Sequence, residues 1–267
     1  MLTAFNAAHG LDRFPINVGL VAQEYSKSVF PDEPITLVEG KNFTGSFEGA
    51  LVRNPIKPKE WGIFYNSGLS SKGRINFTLA HELGHYLLHR ALVINEISCS
   101  KTDMRAWDSE YGKMESEANE FASFLLMPLD DFRAQTKSWK VFRIRDFAAL
   151  GTRYESSTTA TILKWLEITT KRAMVVVSKD GFIDWSWSSK PLLKSGVYFR
   201  AKQETIPIPD KSLAAKGPSE ISIDGEWLPE GVWADQEEVF ETALFSDFHN
   251  QTISLLIYPN TPPGYQR

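Results

Sequence analysis

Two possible metal ligands and a possible general base lie within one short stretch of the sequence. His81 and His85 are four residues apart, so on an α-helix they project from the same face about one turn apart. That spacing lets two imidazoles bind one tetrahedral Zn²⁺. Glu82 lies about 100° round the helix, where it can reach a water at the metal. The sequence therefore predicts a zinc site, with Glu82 placed for general-base chemistry.

A third ligand is expected downstream, because a catalytic zinc normally has three protein ligands and one open position. Residues 114–128 are predicted to form a helix in which Glu115 shares a stripe with small and apolar side chains. Glu117 points nearly to the opposite side, and Glu120 is expected in solvent. We therefore predict Glu115 as the third ligand. Asn119, one turn further on, is expected to orient its carboxylate.

Hydrolysis of a peptide would also need a group that stabilises the negative oxygen formed when the carbonyl is attacked. The candidates are His89, Tyr86, Tyr65 and Tyr111, and the sequence does not select among them. His89 lies about 80° from His81 on the helix, so it is poorly placed as a fourth ligand. We expect His89 to hydrogen-bond within the fold instead.

The two segments together resemble the ImmA/IrrE family of zinc metallopeptidases. The resemblance is carried by F-T-L-A-H-E-L-G-H-Y-L-L-H at residues 77–89 and E-x-E-A-N-x-F-A-x-x-L-L-M-P at residues 115–128. It implies a zincin-like domain of the gluzincin type, in which Glu115 is a zinc ligand. It also implies a substrate, a transcriptional repressor of the helix-turn-helix (XRE-like) class, whose cleavage derepresses genes for stress response or mobile-element excision.

The resemblance extends to the organisation of the chain. IrrE-like members have a peptidase domain, a helix-turn-helix-like middle and a GAF-like C-terminal sensor, and the present sequence divides in that order. We predict an α+β fold with a zincin-like metallopeptidase domain at 1–132 and a helical, helix-turn-helix-like segment at 133–172. A strand-rich C-terminal domain at 173–267 would then have the sensory or regulatory role.

The elements that must position the site follow from the spacing of apolar residues. Helices are predicted at 17–29, 73–93 and 109–127, and strands at 35–38, 46–52 and 61–65. After residue 172 the pattern predicts strands at 174–177, 182–187, 197–201, 221–227 and 253–258. Because zincins hold a peptide as an added strand beside the active-site helix, we expect the run 61–65 to be the sheet edge that binds it.

The middle segment is basic and scans as helix, turn, helix over residues 144–166, with Ser157 as N-cap of the second helix. Residues 133–172 have nine basic and three acidic side chains, a net charge of +6 between two regions of −5 each. A helix that reads DNA needs Arg, Asn or Gln near its start. Here the start is Thr-Thr-Ala-Thr at 158–161, so we expect packing or partner recognition rather than specific DNA binding.

Composition excludes several classes of protein. With 42% hydrophobic and 23% charged residues, the 267-residue chain is typical of a globular protein. The net charge of −4 and pI near 5.8 argue against a nucleic-acid coat. The single cysteine, Cys99, can form neither an internal disulfide nor a thiolate zinc cluster. No signal peptide and no membrane span are predicted, so we expect a cytoplasmic protein without a membrane partner.

Three functions are compatible with the sequence. A regulatory zinc endopeptidase is favoured, because a module that only binds metal has no need of the general base Glu82. The alternatives are a non-catalytic metal-binding sensor or scaffold that binds a transcription factor, and a DNA-binding regulator, for which the basic segment is the sole support. Two imidazoles and one carboxylate favour zinc over manganese as the ion.

Overall fold

The structure is a computed structural model that describes residues 14–43, 47–69, 71–92, 96–100, 110–217, 220–221, 224–247 and 249–262, with Thr3 and Gly10. It has an α+β fold with two sheets, which confirms the predicted class. The chain divides into two compact units: Met1–Thr136 with Arg153–Ser156, and Lys137–Thr152 with Ser157–Arg267. Residues 133–172 are therefore shared between both units, and the division into three domains stays a prediction.

The first unit combines a four-stranded sheet with helices. In chain order its elements are α1 (Val18–Val29), β1 (Ile35–Lys41), β2 (Phe47–Arg53), β3 (Trp61–Asn66), α2 (Lys72–His89), β4 (Glu96–Ser100), α3 (Glu110–Leu126) and α4 (Leu129–Thr136). The three helices and three strands predicted before residue 128 are all present, with ends that differ by a few residues. Strand β4 was not predicted. The side chain of Cys99, which lies on it, is outside the described residues.

Strand β3 lies in the interior of this sheet, whose order is β1-β3-β2-β4. It pairs in parallel with β1 and antiparallel with β2, and β2 pairs antiparallel with β4. The prediction that residues 61–65 form the sheet edge is therefore wrong, because both sides of β3 are already hydrogen-bonded. The strands at the ends of the described sheet are β1 and β4.

Helix α2 packs against the sheet through a side that lies next to its histidines. The helix begins after Ser71, whose hydroxyl accepts a hydrogen bond from Arg74 N at 3.4 Å. Tyr86 is fully buried, stacks edge-on against Trp61 and donates a hydrogen bond from its hydroxyl to the Glu33 carbonyl at 2.8 Å. Tyr86 lies about 140° round the helix from His81 and about 40° from Glu82, so anchoring Tyr86 holds Glu82 on the sheet side of the helix.

The second unit has a five-stranded antiparallel sheet in the order β6-β5-β9-β8-β7. Its elements are α5 (Ile144–Tyr154, the last two residues grouping with the first unit), α6 (Thr158–Ile168), β5 (Ala173–Lys179), β6 (Phe182–Ser188), α7 (Lys190–Lys194), β7 (Glu226–Leu228), β8 (Val239–Ser246) and β9 (Gln251–Ile257). The predicted helix-turn-helix order of α5 and α6 is present. Residues 197–201 are not a strand, which corrects the prediction there.

Both faces of this second sheet are covered, since every residue of β5 except the last is buried. One face packs Met174 and Val176 into a cluster with Leu256 and Trp233. Glu241 is buried on that side, where it accepts hydrogen bonds from Trp233 Nε1 at 2.6 Å and Ser254 Oγ at 2.7 Å. Burial raises the pKa of Glu241 above its ordinary value.

No helix in the described part of the chain combines the length and the apolar character needed to cross a bilayer.

Candidate metal centre

Helices α2 and α3 approach each other closely enough to share one site. Gly84, which lies between the two histidines of the motif, faces α3. A β-carbon built on it would lie 3.1 Å from Phe121 Cδ1 and 3.2 Å from Ala118 Cα. Contacts this short leave little room for a side chain, so glycine at this position permits the close approach of the two backbones. This close approach brings side chains of both helices together at one site.

The structure brings together His81, His85 and Glu115, the three ligands predicted from the sequence. The Nε2 atoms of the two histidines are 3.0 Å apart. Glu115 Oε2 lies 3.3 Å from His81 Nε2, and Glu115 Oε1 lies 3.1 Å from His85 Nε2. All three side chains are buried, and one donor atom from each lies within 4.8 Å of the other two.

These separations fit the coordination of one metal ion. Donor atoms bound about 2.0–2.1 Å from a tetrahedral zinc are about 3.3–3.4 Å from one another. The observed distances between the donor atoms, 3.0, 3.1 and 3.3 Å, are close to that value. The triad could therefore hold a metal ion with small adjustments of the side chains, and a set of two imidazoles and one carboxylate favours zinc.

The pKa values of the triad suit metal binding. Burial alone would raise the pKa of Glu115, but hydrogen bonds and charges of His81 and His85 outweigh it and hold the pKa far below its ordinary value. Burial lowers the pKa of His85. Burial also acts to lower the pKa of His81, but Glu115 and Glu82 raise it overall. Glu115 is thus ionised and His85 neutral at pH 7, the states that bind metal, and His81 binds metal in its neutral form.

Asn119 holds one of the two imidazoles. Its side-chain oxygen lies 3.0 Å from His81 Nδ1, the ring nitrogen that faces away from the triad. Asn119 was predicted to orient the Glu115 carboxylate, but its hydrogen bond is with His81 instead. An acceptor at Nδ1 keeps the proton on that nitrogen and leaves the lone pair of Nε2 for a metal.

His89 holds the other imidazole from a buried position. Its Nδ1 lies 3.0 Å from His85 Nδ1, and its Nε2 lies 3.0 Å from Glu117 Oε2. The prediction that His89 hydrogen-bonds within the fold agrees with these contacts. The hydrogen bond with His89 lowers the pKa of the Glu117 carboxyl, so that group is ionised at neutral pH.

Glu82 is completely buried, and its carboxylate lies against strand β2. A β-carbon built on Gly49 would lie 3.2 Å from Glu82 Oε1 and 2.4 Å from Thr78 Cγ2. Burial acts to lower the pKa of His81, and the negative charge of Glu82 acts to raise it. The Glu82 carboxylate therefore lies close to the triad. Packing holds the same carboxylate against β2.

The four candidates for stabilising the oxyanion lie in different surroundings. Tyr86 is a core residue whose hydroxyl donates to a backbone carbonyl, and burial raises its pKa to about 12. His89 is engaged by its two partners. Tyr111 is half-buried one turn before Glu115 on α3. The ring of Tyr65 covers Gly40 of β1, where an added β-carbon would lie 2.8 Å from Cζ. Which of the four, His89, Tyr86, Tyr65 or Tyr111, stabilises the oxyanion stays a prediction.

Two residues that support the site were not found from the sequence. Glu117 points away from Glu115 on a helical projection of α3, and nothing in that helix marks it as a partner of His89. The one available signal is that His89 continues the four-residue spacing of His81 and His85. Gly49 carries no signal except that a glycine within a predicted strand can mark a close contact.

Comparison with known proteins agrees with this geometry. Residues 41–165, just under half of the chain, match the model of the family described as the IrrE N-terminal-like domain, Peptidase_M78. The matched range includes β2, β3, α2 and α3, and with them every residue of the metal centre described above. A search of the curated proteins found no match.

Proposed function

Through residues 41–165 the chain belongs to the ImmA/IrrE family, and from this and the metal-binding triad we propose that it is a zinc-dependent endopeptidase. The observation that carries the proposal is the convergence of His81, His85 and Glu115 beside the buried carboxylate of Glu82. A site that only stored metal would have no use for that fourth, proton-accepting group.

Each residue of the site has a distinct part in the proposed reaction. A zinc ion held by His81, His85 and Glu115 would lower the pKa of a water and polarise a peptide carbonyl. Glu82 accepts the proton that the attacking water gives up, and then delivers it to the amine that leaves. Because Glu82 is packed against β2, its carboxylate needs little reorganisation during these transfers.

The proposed substrate is a transcriptional repressor of the XRE helix-turn-helix class, and the proposed role is regulatory. The support for this is the match to the IrrE N-terminal-like family model, because the resemblance to the ImmA/IrrE family implies repressors of this class as substrates, with roles in stress response or mobile-element excision. A repressor acts where the DNA is, so we propose the cytoplasm as the compartment in which cleavage takes place.

Direct DNA binding is the weakest alternative, because several side chains of the basic segment have acidic neighbours. Arg172 is buried against Glu237 at 2.6 Å, and Arg153 lies 2.9 Å from Asp131. Arg143 and Arg145 lie against Asp224, and Lys164 is buried. Most of the residues of α6 beyond its first turn are also buried. Asp131, Asp224 and Glu237, which lie outside the segment, offset three of its six net positive charges, and this weakens its attraction for a phosphate backbone.

The test compares the wild-type chain with Glu82→Gln, both loaded with zinc, on purified XRE-class repressors, with products read by mass spectrometry. We expect cleavage by the wild type to stop when the metal is chelated. Glu82→Gln should bind zinc as the wild type does but cut at least about a thousandfold more slowly. The matched control is Glu120→Gln, which removes an exposed carboxylate of α3 and should cleave normally.

Other outcomes separate the alternatives. Undiminished cleavage by Glu82→Gln would contradict the proposed role of this carboxylate. A wild-type protein that binds zinc and a repressor tightly, but leaves the repressor intact under all conditions, would favour the non-catalytic sensor or scaffold.

A further inference from the structure

We propose that His89 and Glu117 form a relay that positions His85 for metal binding and thereby sets the metal affinity of the site, although neither residue belongs to the triad. The inference rests on the metal centre of the proposed function. It adds two positioning residues that the ligand set does not include.

The relay is a continuous chain of hydrogen bonds from the triad outwards. His85 Nδ1 is 3.0 Å from His89 Nδ1, and His89 Nε2 is 3.0 Å from Glu117 Oε2. The side chain of His85 is inaccessible to solvent and that of His89 is 3% exposed, whereas that of Glu117 is 43% exposed. The chain thus starts at a buried metal ligand on α2 and ends at a partly exposed carboxylate on α3.

The chemistry of the groups fixes where each proton lies. His85 can bind a metal through Nε2 only if that nitrogen offers its lone pair, so the proton of the neutral ring must be on Nδ1. His85 Nδ1 then donates to His89 Nδ1. His89 must in turn carry its own proton on Nε2, which donates to the ionised carboxylate of Glu117. Both links of the relay therefore favour the metal-binding tautomer of His85, against Glu115 Oε1, which lies 3.1 Å from His85 Nε2 and favours a proton there.

The two histidines of the triad are held by different means. His81 is oriented by one neutral acceptor, the side-chain oxygen of Asn119, at 3.0 Å. His85 is oriented by a second imidazole that is itself backed by a negative charge. Because Glu117 follows the ligand Glu115 by two residues, the relay also links α2 to α3 a second time beside the metal centre. Outer partners of this type typically change metal affinity by about 10–100-fold when removed.

The experiment measures zinc affinity in the absence of any substrate, by competition with a chromophoric chelator. We expect His89→Leu and Glu117→Leu each to weaken zinc binding by about 10–100-fold. Glu117→Gln, which keeps an acceptor oxygen, should lie closer to the wild type. Glu120→Leu is the matched control, because it makes the same change at an exposed position of the same helix, and should leave the affinity unchanged.

A second measurement separates positioning from general destabilisation. Long-range ¹H–¹⁵N spectra of the metal-free protein report which ring nitrogen of His85 carries the proton. We expect a larger share of the Nδ1–H tautomer in the wild type than in Glu117→Leu, with an unchanged circular dichroism spectrum. Because Glu117 is partly exposed, this variant keeps the test informative if His89→Leu fails to fold.

The outcomes distinguish the relay from the proposed function. Affinity within about twofold of wild type and an unchanged His85 tautomer in Glu117→Leu would overturn the relay. A protein that shows these effects but cleaves nothing would retain the relay and lose the endopeptidase. A wild-type protein that binds no zinc would overturn both.

Discussion

At the scale of single residues, the metal centre is a buried concentration of negative charge. Glu115 and Glu82 both lie in the interior, and the carboxylate of Glu115 is ionised because its pKa is lowered by His81 and His85 despite burial. Once both histidines are neutral, the ionised carboxylate of Glu115 needs a compensating cation. A divalent ion would supply that charge, so metal binding and the stability of the buried site are linked.

Asn119 offers a direct test of this organisation. Replacement by Ala removes the acceptor 3.0 Å from His81 Nδ1, so the ring of His81 can rotate or adopt the wrong tautomer. We expect Asn119→Ala to weaken zinc binding by about tenfold or more, measured by chelator competition. Asn119→Asp keeps the acceptor and should bind zinc at least as tightly as the wild type. Equal losses in both variants would mean that Asn119 acts through packing instead.

At the scale of elements, the general base depends on how closely strand β2 lies to helix α2. Gly49 faces Thr78 and Glu82, and an added β-carbon would lie only 2.4 Å from Thr78 Cγ2. The χ1 angle of a threonine in a helix has few alternatives, so this contact cannot relax cheaply. A larger residue at position 49 must therefore move the strand, the helix or the Glu82 carboxylate.

We expect Gly49→Ala to slow peptide cleavage by about 10–100-fold, because a shift of the general base by about 1 Å has effects of this size. Zinc affinity should stay near the wild-type value, since none of the three ligands touches the new methyl group directly. Overpacking should also lower the free energy of unfolding by about 1–3 kcal/mol. Steady-state kinetics, chelator competition and chemical denaturation measure the three effects.

A glycine of the neighbouring strand provides the control for that prediction. At Gly62 of β3 an added β-carbon would have its nearest contact at 3.5 Å, an ordinary van der Waals distance. Gly62→Ala should therefore cleave normally. Adding Thr78→Ser to Gly49→Ala removes the methyl group at 2.4 Å and should restore part of the stability. A Gly49→Ala variant with wild-type kinetics would show that the spacing of β2 does not set the position of Glu82.

The sequence predicted those parts of the site that depend on one helix at a time. The spacing of His81 and His85 and the apolar stripe around Glu115 are local patterns, and the structure brings these three residues together. The contact of Glu117 with His89 joins two helices, and its formation depends on their crossing, which neither helical pattern contains. The hydrogen-bond partner of Asn119 was predicted wrongly for the same reason. Its actual partner, His81, lies on α2, whereas Asn119 and Glu115 both lie on α3.

The order of strands was also beyond the local patterns. Residues 61–65 were predicted correctly as a strand. Their position between β1 and β2 results from the parallel pairing of β3 with β1, although β2 lies between these two strands along the chain. Strand pairing of this kind is decided by packing and not by strand propensity. In the second unit, residues 197–201 have an apolar spacing typical of a strand but pack partly buried against the core cluster without joining the sheet.

At the scale of the whole molecule, charge along the sequence is a poor guide to charge on the surface. The segment 133–172 has a net charge of +6, but Arg153 is paired with Asp131 in the first unit and Arg172 with Glu237 in the second. The segment is divided between two compact units, and each supplies acidic partners from outside it. Three acidic residues from outside the segment, Asp131, Asp224 and Glu237, therefore offset half of its net positive charge.

The division into two units predicts where a metal ion stabilises the chain. All three ligands belong to the first unit, and a ligand that binds only the folded state stabilises it by about 2.7 kcal/mol at a concentration about a hundred times Kd. Added zinc should therefore slow amide exchange in α2 and α3 by up to about a hundredfold. Exchange in Ala173–Lys179, the buried central strand of the second unit, should not change. Hydrogen exchange with mass spectrometry measures both regions in one experiment.

The matched control for this last prediction is Glu115→Gln, which keeps the shape of the ligand but removes its charge and should abolish the protection of α2 and α3. Zinc should then leave hydrogen exchange in Glu115→Gln unchanged. Protection of α2 and α3 by zinc in this variant would show that the ion binds outside the triad. Protection of Ala173–Lys179 to the same extent as α2 would contradict the prediction, since it would require the second unit to gain stability from a site to which it contributes no ligand.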